Sequence, residues 1–311
     1  MQVIFYFYLQ NKSNKNYTMR QIMIILLTVS TLTACDAPKP KETKSETSKK
    51  TPMNKKEIAL AFVNAVTSQD EETVCQLVNS DYIQHNPFLP TGLDPFIGLF
   101  PVLKENGTKA KAIRVIEDGN FVAVHHLWTG AKPFGAEEMV SFDILRFDDK
   151  GKIAEHWDAM MPNTPPNPAG RTLIDGPTEV SDLNATAQNK ALVSNLLDDI
   201  LYGKNPDKIT EYISTEYYHQ HNPQIADNLD GLQKAFQFLI ENNNMFQYQK
   251  LHKVIGEGNF VLTINEGEWS GKKQVFYDLF RIENGKAVEH WDIIQEIPTE
   301  GLANNNGMFG F

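Results

Sequence analysis

Gly151-Lys-Ile-Ala-Glu-His-Trp-Asp158 recurs late in the chain as Gly285-Lys-Ala-Val-Glu-His-Trp-Asp292. Each copy follows a second shared run, Phe142-Asp-Ile-Leu-Arg-Phe147 and Tyr277-Asp-Leu-Phe-Arg-Ile282. A turn signal separates the two runs, Gly151 in one case and Asn284-Gly285 in the other, so each pair reads as a β-hairpin. The correspondence extends upstream. Glu117-Asp-Gly-Asn-Phe-Val122 matches Gly256-Glu-Gly-Asn-Phe-Val261, and Tyr82-Ile-Gln-His-Asn-Pro87 matches Tyr218-His-Gln-His-Asn-Pro223. The order is kept throughout, which is the pattern of a tandem duplication. The period is too long for a solenoid and predicts two whole domains.

Helical periodicity opens each copy. Ile58, Phe62, Ala65 and Val66 share one helical face, as do Leu192, Leu196 and Ile200. Shorter second helices are expected around Val74, Leu77 and Val78, and around Ile209, Tyr212 and Ile213. A third is expected to start at Asp94-Pro95, with Asp94 as its cap and Pro101 kinking or ending it. Its counterpart carries Leu232, Phe236 and Leu239. Helices followed by antiparallel strands define an α+β class. The expected division is 55–176 for domain 1, 177–186 for a linker and 187–311 for domain 2.

The hairpins predict a chemical face. If Phe147 pairs with Lys152, Asp143 lies opposite His156. If Ile282 pairs with Lys286, Asp278 lies opposite His290. Residues two apart on a strand share a face, so Asp158 joins the first pair and Asp292 the second. Burial would raise an Asp and a neighbouring imidazolium would lower it, a setting suited to acid–base work. The bland alternative is a structural Asp–His pair tying two strands. Arg146, Arg281, Trp157 and Trp291 have the opposite parity; the arginines are expected on the outer face or at an interface, the tryptophans under a helix or between the domains.

The 311 residues carry 29 Lys plus Arg against 39 Asp plus Glu, a net charge of −10. That balance argues against nucleic acid as a partner. Two Cys exclude a disulfide scaffold and a four-Cys zinc site. Cys75, on an apolar helical face, reads as core. Residues 22–32 form a short apolar run after Arg20, too short to span a bilayer comfortably. The run ends Leu32-Thr33-Ala34-Cys35, which resembles a bacterial lipobox. That resemblance implies a signal peptide over 1–34, with Met19 as a candidate start, and a lipid on Cys35, which rules out an intramolecular disulfide. Residues 35–54 then form a polar stalk, and the domains lie in the cell envelope outside the cytoplasm.

The His-Asn-Pro turn, the Asp-x-x-Arg strand and the Glu-His-Trp-Asp strand together resemble SnoaL-like polyketide-cyclase domains of the NTF2-like superfamily. The similarity is greatest to the branch described as aldol-condensation enzymes, and Asn167 to Gly176 and Asn304 to Gly310 resemble that branch's closing segment. The resemblance implies two cones, each of helices on a strongly curved antiparallel sheet, paired sheet to sheet as an intrachain pseudo-dimer. It places the acid/base on Asp158 and Asp292, with His156, Asp143, His290 and Asp278 beside them. The chemistry implied is proton removal next to a carbonyl of a small hydrophobic substrate, needing no metal or organic cofactor.

His85 and His221 are expected at the pocket mouth, with Tyr82 and Tyr218 as candidate lining. His126, two residues before Trp128, and its counterpart Asn265 are polar on otherwise apolar strands and are assigned to the pocket. Asn86 and Asn222 read as turn caps. His85, His126 and His156 with Asp158 could in principle ligate a metal, but the second copy keeps only His221 and His290, so no metal is assigned. Two functions remain open: an acid–base enzyme, or a non-catalytic lipoprotein that holds a small apolar ligand.

Overall fold

A computed structural model describes residues 53–311. The expected signal, Cys35 and the expected stalk up to residue 52 lie outside the described residues. Helix α1 spans Lys55–Ser68. Asn54 caps it, its side chain accepting from the Glu57 amide at 2.9 Å while Glu57 returns the bond to the Asn54 amide at 2.8 Å. Ala59, Phe62, Val63, Ala65 and Val66 form its buried stripe. Gln69, in the left-handed region, ends it, and Asp70 caps α2, Glu71–Leu77.

The expected second helix ends earlier than its apolar spacing suggested. Val78 opens strand β1, Val78–Gln84, which runs parallel to the last strand of its sheet. The expected third helix is two short ones, α3 (Leu93–Ile97) and α4 (Phe100–Glu105). Gly92 rather than Asp94 stands at the start of α3. Pro101 begins α4 instead of ending a helix, because its missing N–H is harmless in a first turn. Strands β2 (Lys109–Asp118), β3 (Phe121–Thr129), β4 (Glu138–Phe147) and β5 (Ile153–Pro162) follow. The sheet order is β1-β5-β4-β3-β2, antiparallel apart from β1.

The second half repeats this plan. It comprises α5 (Thr186–Leu196, extended by a π-helical turn), α6 (Ile209–Tyr212), β6 (His219–Gln220) and α7 (Asn228–Glu241). Then come β7 (Gln247–Glu257), β8 (Phe260–Trp269), β9 (Lys272–Glu283) and β10 (Lys286–Glu296). Its order is β6-β10-β9-β8-β7. The expected α+β class is therefore the one observed: two five-stranded sheets, each with helices. Among the described residues no helix is long and apolar enough to cross a membrane.

The hairpin registers differ from expectation by two residues. Asp143 faces Asp158, and Leu145 faces His156. Asp278 faces Asp292, and Phe280 faces His290. Two one-residue slips add in each copy. In the first, Phe147 pairs with Ile153 rather than Lys152, and the register shifts again between Arg146 and Phe147. In the second, Asn284-Gly285 make a two-residue turn with φ of 50° and 73°, and the register shifts between Ala287 and Glu289. A shift of two preserves strand parity, so Asp, His and Asp still share one face.

Each sheet is apolar on both sides. One side of the first sheet, with Val122, Val124 and Leu145, packs under α1, α3 and α4. The corresponding side of the second, with Val261 and Phe280, packs under α5. The remaining sides meet each other: Ala123, Phe142, Ile144 and Trp157 share one buried cluster with Leu262, Ile264, Tyr277 and Trp291. Trp157 and Trp291 thus lie between the halves, as their parity indicates. Cys75 packs partly buried against the first core, as its helical spacing indicates, but it is disulfide-bonded, where the sequence reading expects no intramolecular disulfide.

Candidate active site

Three side chains converge on the helix-covered side of the first sheet. Asp143 on β4 and His156 and Asp158 on β5 are all buried. His156 Nε2 donates to Asp143 Oδ1 at 3.0 Å, and its Nδ1 donates to Gln84 Oε1 at 2.9 Å. The Asn86 amide also donates to Gln84 Oε1, at 2.8 Å, which fixes that atom as the acceptor. Both ring nitrogens of His156 therefore face acceptors, the arrangement of an imidazolium.

The two carboxyls are driven apart. Burial pushes Asp143 up, but His126 and His156 outweigh it and hold Asp143 well below the usual range. Ser141 Oγ at 2.5 Å and His126 Nδ1 at 2.8 Å both donate to its Oδ2. Burial pushes Asp158 up to about 6; the Asp143 charge reinforces this and His156 and Asn86 oppose it. Burial alone would lower His156, yet the Asp143 hydrogen bond and the charges of Asp158 and Asp143 raise it overall.

The second half repeats the core of this arrangement. His290 Nε2 donates to Asp278 Oδ1 at 3.2 Å and its Nδ1 to Gln220 Oε1 at 2.9 Å. Asp292 is raised by burial and by Asp278, against the pull of His290 and Asn222. The surroundings differ. Asn265 Nδ2 donates to Asp278 Oδ2 at 3.2 Å where the first half has His126. Tyr248 OH donates to both oxygens of Asp278, at 3.0 and 3.1 Å.

The structure brings together the six Asp and His residues of the sequence reading, with His126 and Asn265. Trp128 reaches the cluster indirectly, donating from Nε1 to Ser141 Oγ at 2.9 Å. Tyr82 and Tyr218 are buried nearby; Tyr82 lies 6.5 Å from the His156 ring and accepts from Gln84. His85 and His221 are corrections. They point to the opposite side of the sheet and stack on Trp157 and Trp291 at 4.4 and 4.5 Å. Their Nε2 atoms bond Glu155 and Glu289, which directly precede His156 and His290 on the strand and face the other side of the sheet. The cause is β1. Once Tyr82 to Gln84 is extended, alternation turns Tyr82 and Gln84 toward the site and His85 away from it.

Asn86 and Asn222 are expected as turn caps. They do cap, accepting from the Phe88 and Gln224 amides. Their Nδ2 groups also reach the site: Asn86 donates to both oxygens of Asp158 at 2.9 Å, and Asn222 to Asp292 Oδ2 at 2.7 Å. Gln84, Gln220, Ser141 and Tyr248 were missed. The x-Gln-His-Asn-Pro repeat carried the signal for the two glutamines, since its Gln is shared by both copies.

Asp143, His156 and Asp158 offer ligand atoms all within 4.8 Å of one another, and Asp278, His290 and Asp292 do the same. Such a donor set could take a divalent cation. As the atoms stand, both inward histidine nitrogens are committed to Asp143 and Asp278.

Residues 59–156 match the SnoaL-like domain. The match includes Asp143 and His156 and stops two residues before Asp158. No curated protein matches the chain significantly. Among solved structures, IdmH from Streptomyces antibioticus is 20% identical over 35% of this chain and 92% of its own, with a TM-score of 0.30. A SnoaL-like polyketide cyclase from Agrobacterium tumefaciens is 14% identical over 35% of this chain and 93% of its own, with a TM-score of 0.31. An NTF2-like protein of unknown function from Cytophaga hutchinsonii is 14% identical over 36% and 95%, with a TM-score of 0.31.

Proposed function

We propose that the protein is an acid–base catalyst of aldol-type condensation, cyclisation or the reverse cleavage, acting on a small hydrophobic carbonyl compound. The observation that carries this reading is the geometry of two buried carboxyls on one sheet face, Asp143 accepting from His156 at 3.0 Å and Asp158 bonded instead to Asn86, which drives their proton affinities apart. Asp143 is held ionised against His156, while Asp158 is pushed up to about 6. A base of that strength is poised to take a proton near neutral pH. Asp158 removes the proton next to the substrate carbonyl, and the neighbouring His156 imidazolium offsets the charge that develops. His126 Nε2, buried and without a hydrogen-bond partner among the described residues, is a second group able to meet the ligand. Asp292, His290 and Asp278 play the matching parts in the second half.

In the same reading the two halves, 55–176 and 187–311, are duplicated domains joined as a pseudo-dimer. The chain is a lipoprotein of the bacterial cell envelope, held to its membrane by a lipid on Cys35. Mass spectrometry of the membrane-extracted protein tests the anchor: a diacylglyceryl adduct on Cys35 is expected, and release of a Cys35→Ala variant into the soluble fraction. With two Cys in the chain, a thioether on Cys35 and an intrachain disulfide at Cys75 exclude each other, so a mass showing Cys35 joined to Cys75 would overturn the anchor.

The catalytic reading is tested by α-proton exchange. Wild type and the Asp158→Asn, Asp292→Asn double variant are incubated in deuterated water with β-dicarbonyl and hydroxy-ketone compounds. Exchange and product formation are followed by NMR. Acceleration by wild type and its loss in the folded double variant are expected. No acceleration over buffer across the panel would favour the other reading, a non-catalytic lipoprotein that holds a small apolar ligand. One observation favours that alternative: both oxygens of Asp158 already receive Asn86, and both of Asp143 are hydrogen-bonded within the protein.

A further inference from the structure

The segment after each sheet crosses to the other half. Asn304 Nδ2, beyond the second sheet, donates to the carbonyls of Asn86 at 2.7 Å and Leu89 at 2.8 Å in the first half. Asn306 Nδ2 donates to the Gln84 carbonyl and to Thr91 Oγ1, both at 2.8 Å. In the opposite direction, Asn167 Nδ2, beyond the first sheet, donates to the carbonyls of Gln220 at 2.5 Å and Ile225 at 2.9 Å, with Asn222 at 3.3 Å.

The two crossings share their central contact, while Asn306 has Ala169 in its place in the first tail. Asn86 and Leu89 occupy the same places in the first repeat as Asn222 and Ile225 in the second. Both tail asparagines also turn their own chain, Asn304 Oδ1 accepting from the Asn306 amide and Asn167 Oδ1 from the Ala169 amide, each at 2.9 Å. The histidines that point away from the acid sites are the second attachment. His85 Nδ1 bonds the Gly307 carbonyl at 2.8 Å, and His221 Nδ1 the Thr172 carbonyl at 2.7 Å. The fit is close. At Gly176, with φ of +89°, an added Cβ would lie 2.6 Å from Glu289 Oε1 and 2.8 Å from Trp291 Cζ2. Phe311 stacks on Trp157 at 4.6 Å.

What the tails hold is the segment that orients the acid groups. Gln84 bonds His156 and Asn86 bonds Asp158; Gln220 bonds His290 and Asn222 bonds Asp292. We infer that Asn304 and Asn306 are positioning residues for the first acid site and Asn167 for the second, so that each half's site is completed by the other half's tail. The inference rests on Asp158 and Asp292 being the working groups. It gives the duplication a physical consequence, since each site depends on a crossing segment from the other half.

The test is a carbon-13 NMR titration of the Asp158 and Asp292 carboxyls in the full chain, with resonances assigned from Asp158→Asn and Asp292→Asn. The Asn304→Ala, Asn306→Ala double variant should raise the Asp158 midpoint by about 0.5–1 pH unit, as the Asn86 N–H loses its fixed aim, and leave Asp292 in place. Asn167→Ala should do the converse. Asn306 is exposed, so Asn306→Ala alone is a variant expected to fold even where the others do not, and it should move Asp158 in the same direction. An unmoved Asp158 in folded Asn306→Ala would overturn the inference. So would a shift confined to the variant's own half. The titration reads the carboxyls without turnover, so it stands apart from the outcome of the exchange assay.

Discussion

The two halves put the same Asp, His and Asp on the same side of a sheet and then surround them differently. In the first, Asp143 is met by two histidines and a serine, and Asp158 is tied through both oxygens to Asn86. In the second, Asp278 is met by His290, Asn265 and Tyr248, and only Oδ2 of Asp292 receives Asn222. Asp292 Oδ1 is buried without a hydrogen-bond partner among the described residues. The covers differ as well. Two short helices bury Leu93, Phe100 and Leu103 in the first half, whereas α7 buries only Gly231 and Leu232 and leaves Phe238 and Ile240 exposed. A sheet face thus fixes which groups meet, while the neighbouring strands and helices set how each group holds its proton.

The comparison is broken most sharply by removing one base at a time. Asp158→Asn and Asp292→Asn should each abolish the exchange contributed by its own half, and the double variant should lose about 10²–10⁴-fold. If either single variant removes all activity, one half is silent and its site is structural.

The packing between the halves gives the next largest effect. Trp157→Ala and Trp291→Ala should each cost about 3–5 kcal/mol in denaturant unfolding. Trp291→Ala should cost roughly 1 kcal/mol more, because Trp291 Nε1 donates to the Asp175 carbonyl at 3.0 Å while Trp157 Nε1 is buried without a partner among the described residues. Equal losses would mean that the Asp175 bond adds nothing.

Exchanging the residue that most distinguishes the sites should move one towards the other. His126→Asn gives the first half the residue found at position 265. It removes the largest influence lowering Asp143, so the Asp143 midpoint should rise. A fixed midpoint in a carbon-13 titration would leave His126 without an electrostatic role.

The pH dependence follows from the same split. Exchange by the first half should climb through about pH 6 as Asp158 ionises. Stability should run the other way. The folded value of Asp158 lies above its unfolded one, so its contribution is full below about pH 4 and is lost as pH rises to about 6. Asp143 has the opposite sign, its contribution fading only as pH falls through its depressed folded value. A rate profile flat between pH 5 and 7 would contradict the assignment of Asp158 as the base.

Much of this was legible in the repeats. Strand parity put Asp143, His156 and Asp158 on one face even though the paired register was off by two, because an altered turn pairing and a bulge each contribute one residue. Parity also sent Arg146 and Trp157 to the other side. His85 was misplaced for want of β1, a strand hidden by the helical spacing of Val74, Leu77 and Val78. Extending the alternation through Tyr82, Gln84 and Asn86 recovers both its true side and the role of Asn86. The crossing tails have no local signature. Asn167 and Asn304 find partners 55 and 218 positions away in sequence, and only the packing of the two sheets against each other brings those segments within reach.

The most direct measurement is a carbon-13 titration of Asp143 and Asp158 in the wild-type protein. The account predicts that Asp158 takes up its proton near pH 6 while Asp143 stays ionised well below pH 4. Two carboxyls titrating together near pH 4, the ordinary value for Asp, would remove the split on which the proposed chemistry depends.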